Sequence, residues 1–165
     1  MLATEHTEHT DNSTETAVRA METATINSDG RDPITHRIIG AYYGVYRTLG
    51  WGFLETVYQR AMVVALVDAG AHVAREVALP VHFRGHLVGE YKADLVVDHD
   101  VLVEIKAAEK LVPAHRAQLL NYLKATAIER GLPLNFGPSP QFERLLFTND
   151  RKAPPHRRNS PPSCS

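Results

Sequence analysis

The stretch EYKADLVVDHDVLVEIKA, residues 90–107, decides how the chain is read. Two aliphatic runs, Leu95-Val96-Val97 and Val101-Leu102-Val103 with Ile105, flank the polar triplet Asp98-His99-Asp100. Runs of this kind on either side of a short polar turn are buried strands joined as a hairpin. Each nevertheless carries charge: Asp94, Glu104 and Lys106. Burying an unpaired charge is costly, so these residues need a partner or a purpose. With residues 98–100 as a three-residue loop, Asp94 lies directly opposite Glu104, their Cβ atoms about 5 Å apart. Lys106, two residues on, points to the same face. Facing carboxylates repel; Lys106 supplies one positive charge, whereas a divalent cation supplies two. Oxygen ligands of this type suit Mg²⁺ or Mn²⁺ rather than zinc. Taken alone the pattern is weak, because acid-x-Lys is common on half-exposed strands. An internal salt bridge of Lys106 with Asp94 or Glu104 is the plain alternative.

Upstream of this hairpin, Asp32-Pro33 is a helix start, with Asp as cap and Pro at the first helical position. The helix is expected to run to about residue 48, placing Ile34, Ile38, Ala41, Tyr42 and Val45 on one face. After LGWG a second helix is expected over residues 53–69, stopped by Gly70. Leu54, Val57, Ala61, Val64 and Ala65 make it apolar around much of its girth, so burial is expected. HVAREVALPVHFRG reads as one or two strands, with Pro80 favouring an edge or a bulge. Downstream, residues 113–130 read as a helix carrying Leu119, Leu120, Leu123 and Ala127, with Gly131 as its stop. The short runs PLNFG and RLLF complete the set as strands. The order α-α-β-β-β-α-β-β gives a mixed α/β sandwich around a central sheet, without internal repeats.

Composition bounds the rest. At 165 residues the chain is long enough for one domain with a substantial core. Residues 1–30 hold one Arg against six acids and show no apolar periodicity, so a disordered tail is expected, with Met21 as an alternative start. His6 and His9 in that acidic segment are read as incidental. Residues 150–165 read as a second disordered tail, Pro-rich and basic, and Cys164 within it leaves no basis for a disulfide framework or a cysteine metal site. No apolar leader or membrane-length run is present, and a cytoplasmic protein is expected. The domain itself, residues 31–149, balances 13 Lys and Arg against 12 acids. That balance argues against an extended basic nucleic-acid surface but leaves room for a small basic cleft.

Three further features converge on the hairpin acids. Glu55 is a carboxylate in a mostly apolar helix. Gln118 and Tyr122 are one turn apart on the helix after the Lys106 strand, and His115 is one turn earlier, so the three line one stripe. Each has an ordinary reading as the polar edge of an amphipathic helix.

The segment GFLETVY, with Gly52, Glu55 and Tyr58, resembles the motif of the GxxExxY proteins. The resemblance continues through YKADLVV, VEIKA, AHRAQLLNYLKAT and LNFG, covering residues 33–147. That family is assigned to the PD-(D/E)XK superfamily, so the resemblance implies a restriction-endonuclease-like fold: a mixed central sheet flanked by helices. Gln118-x-x-x-Tyr122 is similar to the Q-x-x-x-Y motif of RecB-type nuclease domains. Tyr46 stands where many relatives carry His, which leaves the expected ligands untouched. By resemblance, Asp94 is the motif aspartate, Glu104 the second acid and Lys106 the lysine. The implied activity is Mg²⁺- or Mn²⁺-dependent phosphodiester hydrolysis, on DNA ahead of RNA, with a homodimer plausible. Asp94, Glu104 and the Ile105 carbonyl would ligate the metal, and Glu55 would join directly or through water. Lys106 would orient or deprotonate the attacking water, and Gln118 and Tyr122 would position water or phosphate. The alternative is a non-catalytic module on the same fold that binds nucleic acid or protein.

Overall fold

Asp32 opens the first helix, and its side chain accounts for the start. Asp32 Oδ1 accepts the Ile34 N–H at 3.2 Å, Oδ2 accepts the Thr35 hydroxyl, and Pro33 fills the first position. The computed structural model describes residues 32–152. The tail readings for residues 1–30 and 153–165, including His6, His9, Met21 and Cys164, lie outside them.

Helix α1 spans Pro33–Leu49 and buries Thr35, Ile38, Ile39, Tyr42 and Val45, one stripe at helical spacing. Gly50, at φ 68°, ends it and returns its N–H to the Tyr46 carbonyl. Helix α2 spans Glu55–Asp68 and buries Tyr58, Gln59, Met62 and Leu66. The expected burial of α2 holds on one side only: Leu54 just before it and Val64 and Val67 within it are 76%, 62% and 54% exposed. One side of α2 packs on α1, β1 and β3, while these residues lie on the uncovered side.

The strands are β1 (Val73–Phe83), β2 (His86–Val97), β3 (Val101–Lys106), β4 (Arg130–Phe136), β5 (Pro140–Phe142) and β6 (Leu145–Leu146). They form one sheet in the order β1-β2-β3-β4-β5, with β6 also on β4. Only the β3–β4 pairing is parallel among the described residues. Helix α3, Pro113–Ala125, makes the crossover that this parallel pair requires. The expected mixed α/β sandwich is therefore observed, with β5 as an extra short strand. Pro80 lies on the edge strand β1, next to a register irregularity between Val81 and His82. Beyond it the hairpin projects, and residues 82–92 are all exposed.

Two cores sandwich the sheet. On one face Ile38, Tyr42, Tyr58 and Met62 meet Leu95, Val103, Ile105, Leu134 and Phe136. On the other, Leu119, Leu120, Tyr122 and Leu123 of α3 meet Val96, Leu102 and Ala93. Alternate residues of β3 thus serve opposite layers, and Glu104 and Lys106 take the α3 side with Leu102.

Helix α3 ends earlier than its apolar spacing implies. Thr126 is extended, and its hydroxyl donates back to the Tyr122 carbonyl at 3.2 Å. Arg130 and Gly131, expected as helix end and stop, belong to β4, paired with Val101 and Leu102. Gly131 packs closely there: a Cβ would approach the Leu119 side chain to 3.0 Å, so that side chain would have to shift. Ala127, expected on the apolar face, is exposed. At the far end the expected tail does not begin at residue 150: Asn149–Arg151 forms a 3-10 turn, and Lys152 Nζ donates to the carbonyls of Thr126 and Ile128 at 2.9 and 2.7 Å.

The segment after Lys106 is fixed by Asn135, which is fully buried. Its amide exchanges two hydrogen bonds with the Ala108 backbone, both 2.9 Å, extending the β3–β4 ladder with a side chain. Tyr46 donates toward the Gly137 and Pro138 carbonyls at 2.8 and 3.0 Å, so the residue replacing His latches the same end of β4. A Cβ on Gly137 would fall 1.9 Å from the Ala108 carbonyl oxygen. Gly137→Ala is therefore expected to cost about 1–3 kcal/mol in denaturant unfolding. Wild-type stability in that variant would contradict this close approach.

Candidate active site

The hairpin register is the one the sequence implies: Leu95 pairs Val103, Val96 pairs Leu102 and Val97 pairs Val101. The turn uses left-handed Asp98 and His99, and its acids are tied down. Asp98 accepts from the His72 N–H at 2.8 Å and pairs with Arg37 at 3.2 Å. Asp100 pairs with Arg130 at 3.0 Å. The turn is accordingly structural.

One step past Leu95↔Val103 the ladder stops. Asp94 has no backbone ladder partner among the described residues, on either side. The β1 residue across from it, Glu76, adopts φ 49°, sparsely populated for any residue but glycine. The vacated bonding is taken up by the Asp94 side chain. Its Oδ2 accepts the Ile105 N–H at 2.7 Å, and its Oδ1 accepts Gln59 Nε2 at 2.6 Å. The carboxylate is thereby turned across the gap between β2 and β3, toward Glu104.

Glu104 is 4% exposed. Its Oε1 accepts Lys106 Nζ at 3.2 Å, while the buried Oε2 has no hydrogen-bond partner among the described residues. Lys106 also donates to Gln118 Oε1 at 3.0 Å, and Gln118 Nε2 donates to the Tyr122 hydroxyl at 2.7 Å. Glu104, Lys106, Gln118 and Tyr122 therefore form one hydrogen-bonded chain, with the Asp94 charge close enough to act on Glu104. Glu55 sits beside it: its carboxylate is exposed and accepts the Ala107 N–H at 3.3 Å. Among the described residues, no three His, Cys, Asp or Glu side chains gather around one point, so the acids form a pair with Glu55 flanking. His115 leaves the expected stripe, because its Nδ1 accepts the Val112 N–H at 3.3 Å and closes the first turn of α3.

Gln59 was not singled out from the sequence. It lies one turn after Glu55 on α2, so the i, i+4 spacing was the available signal, but a glutamine on an apolar helix has no distinctive chemistry until Asp94 is placed beside it.

The electrostatics follow from burial. Loss of hydration, then the neighbouring Asp94 charge, pushes the Glu104 carboxyl up to about 7, against the pull of Lys106 and of the Asp94 backbone N–H. Burial also raises Asp94, and Glu55 adds to the rise, opposed by the Ile105 amide, Lys106 and Gln59. The Tyr122 hydroxyl is raised by burial. The salt-bridge alternative is thus half realised: Lys106 pairs with Glu104, yet one ammonium does not balance two acids, and Glu104 Oε2 stays unpartnered. A hard divalent cation fits this donor set, because Mg²⁺ characteristically takes one or two carboxylates and keeps several waters.

A sign follows for pH. Glu104 titrates near 4.5 ordinarily and near 7 in the fold, so between these values the folded state holds more protons than the unfolded one. Stability should fall as pH rises through that window. Thermal melts in EDTA are expected to show this decline from about pH 5 to 8, and Glu104→Gln is expected to flatten it. A metal-free protein whose stability rises over this range, with the same slope in Glu104→Gln, would contradict the placement of Glu104.

Among the described residues, no helix is long and apolar enough to cross a membrane. The chain has no significant match among curated proteins or among solved structures. A family model does match it, over residues 32–145, which takes in both helices before the hairpin, the Asp94–Glu104–Lys106 cluster and the helix bearing Gln118 and Tyr122. By this match and by the six-stranded mixed sheet between helices, the chain belongs to the PD-(D/E)XK nuclease superfamily.

Proposed function

We propose that this domain is a divalent-metal-dependent phosphodiesterase of the GxxExxY type, with Mg²⁺ or Mn²⁺ as cofactor and nucleic acid as substrate. The observation that carries the reading is Glu104 Oε2: a buried carboxylate oxygen without a partner among the described residues, beside a second acid whose two oxygens each accept one bond from a neutral donor and keep a lone pair free. Leaving such an oxygen unpaired is costly, and a cation held between Asp94 and Glu104 relieves both the orphan and the repulsion.

Asp94, Glu104 and the Ile105 carbonyl would hold the metal, with Glu55 reaching it through water. When bound, such an ion lowers the pKa of a coordinated water and offsets charge developing on a phosphate. The protein's own groups supply the rest. Gln59 and the Ile105 amide fix the plane of the Asp94 carboxylate. Gln118 and Glu104 aim the Lys106 ammonium, which can orient an attacking water and stabilise the crowded phosphorus centre. Tyr122, already accepting from Gln118, keeps its O–H to donate to a phosphate oxygen.

DNA is placed ahead of RNA on the likeness of Gln118-x-x-x-Tyr122 to the RecB-type motif. A cytoplasmic setting and a homodimer complete the proposal. The near-neutral domain favours one rival, a non-catalytic module that binds nucleic acid or protein on the same fold.

Purified protein incubated with single- and double-stranded DNA is expected to cleave in Mg²⁺ or Mn²⁺ and not in EDTA. Lys106→Ala is expected to lose about 100-fold or more of the rate. Wild type that stays as inactive as Lys106→Ala on every substrate would leave the binding-module reading in place.

A further inference from the structure

Residues 50–54, which lead into Glu55, expose three large apolar side chains in a row of four: Trp51 at 61%, Phe53 at 47% and Leu54 at 76%. Clustered exposure of this kind marks a contact surface rather than ordinary surface scatter. The segment is also held in place. Tyr58 donates its hydroxyl to the Gly50 carbonyl at 2.8 Å and accepts the Phe53 N–H at 3.2 Å. Its ring stacks on buried Phe136 of β4, centroids 4.2 Å apart, and meets the Phe53 ring edge-on at 6.1 Å. Gly50 and Gly52, at φ 68° and 108°, allow the two reversals that turn the aromatics outward. The loop is thus a rigid display anchored in the core.

Its position bears on the acid cluster. Leu54 holds the N-cap position of α2, the next residue is Glu55, and Glu55 accepts from the amide that follows Lys106. Trp51 lies four residues before Glu55, so their backbones are within about 14 Å, the reach of a strand a few nucleotides long.

We propose that Trp51 and Phe53 form a stacking platform for unpaired bases, so that the strand delivered to the neighbouring cluster is single-stranded nucleic acid. This rests on the phosphodiesterase reading for its placement. Charge favours this occupant over a duplex. With 13 Lys and Arg against 12 acids, the domain has few cations to spare for the many phosphate contacts that hold double-stranded DNA. Aromatic stacking supplies affinity without that charge and without sequence preference, because every base presents a π-face. The competing occupant is protein: the outer face of α2, with Val64 and Val67, continues apolar away from the loop.

Trp51 is the single tryptophan of the chain, so intrinsic fluorescence reports this loop. Titrating the full chain in EDTA with oligo-dT should give saturable quenching, and a blunt duplex of equal length should give much less. Trp51→Ala and Phe53→Ala, followed by anisotropy of labelled oligo-dT, should each bind about tenfold more weakly. Their melting temperatures and Mg²⁺-induced stabilisation should match wild type. Quenching by duplex equal to that by oligo-dT, unaltered binding in both variants, or no quenching at all would overturn the proposal. A concentration-dependent emission shift without DNA, matched by dimerisation in sedimentation, would instead assign the loop to self-association and overturn it too. The two readings separate cleanly. Quenching without cleavage in Mg²⁺ removes the phosphodiesterase and keeps the platform, while cleavage without quenching does the reverse.

Discussion

The Ile105 amide gives its hydrogen to the Asp94 side chain instead of to a neighbouring strand, and much of the site depends on that exchange. It closes the hydrogen-bond account of a sheet that splits one residue beyond the Leu95–Val103 pair. It also turns a surface-type residue into a half-buried acceptor facing Glu104. Because both Asp94 oxygens are occupied by neutral donors, its negative charge is solvated but not neutralised. Lys106 reaches only one oxygen of the second acid. The local charge imbalance is therefore built into the backbone geometry, and the proposed cation site rests on it.

The surrounding structure serves to keep that geometry. Asn135 continues the β3–β4 ladder past Lys106, and the Tyr46 hydroxyl holds the Gly137 end of β4 against α1. Tyr58 works in both directions, stacking on Phe136 inside and pinning residues 50 and 53 outside. One helix, α2, thus carries the flanking Glu55, the Asp94 partner Gln59 and the anchor of the exposed aromatic loop, all within five positions of its start.

How much of this was legible depended on whether the signal was local. The hairpin register came directly from the two aliphatic runs and their three-residue turn, because strand alternation permits no slip without exposing the apolar set. The first helix was equally readable from Asp32-Pro33 and its apolar stripe. The end of α3 was not: Leu119, Leu120, Leu123 and Ala127 continue a helical period that the Thr126 hydroxyl and parallel pairing with β3 override. The exposure of Val64 and Val67 was hidden for another reason, since an apolar helix does not reveal which neighbours cover it. At the site, the acids and lysine stood out because charge is unexpected in strands. Gln59, Asn135 and the orphaned Glu104 oxygen became visible only in three dimensions, because a neutral amide or one atom of a carboxylate carries no sequence signature.

The central claim is that Asp94 and Glu104 share a cation site, and that a cation bound there displaces the proton Glu104 otherwise holds near neutrality. Mn²⁺ titration calorimetry near pH 6.5, run in two buffers of different ionisation enthalpy, tests it directly, because a metal that requires the carboxylate must displace its proton. Binding accompanied by proton release, with both lost in Asp94→Asn, is the expected result. Binding with identical heats in the two buffers, or no binding at all, would contradict it.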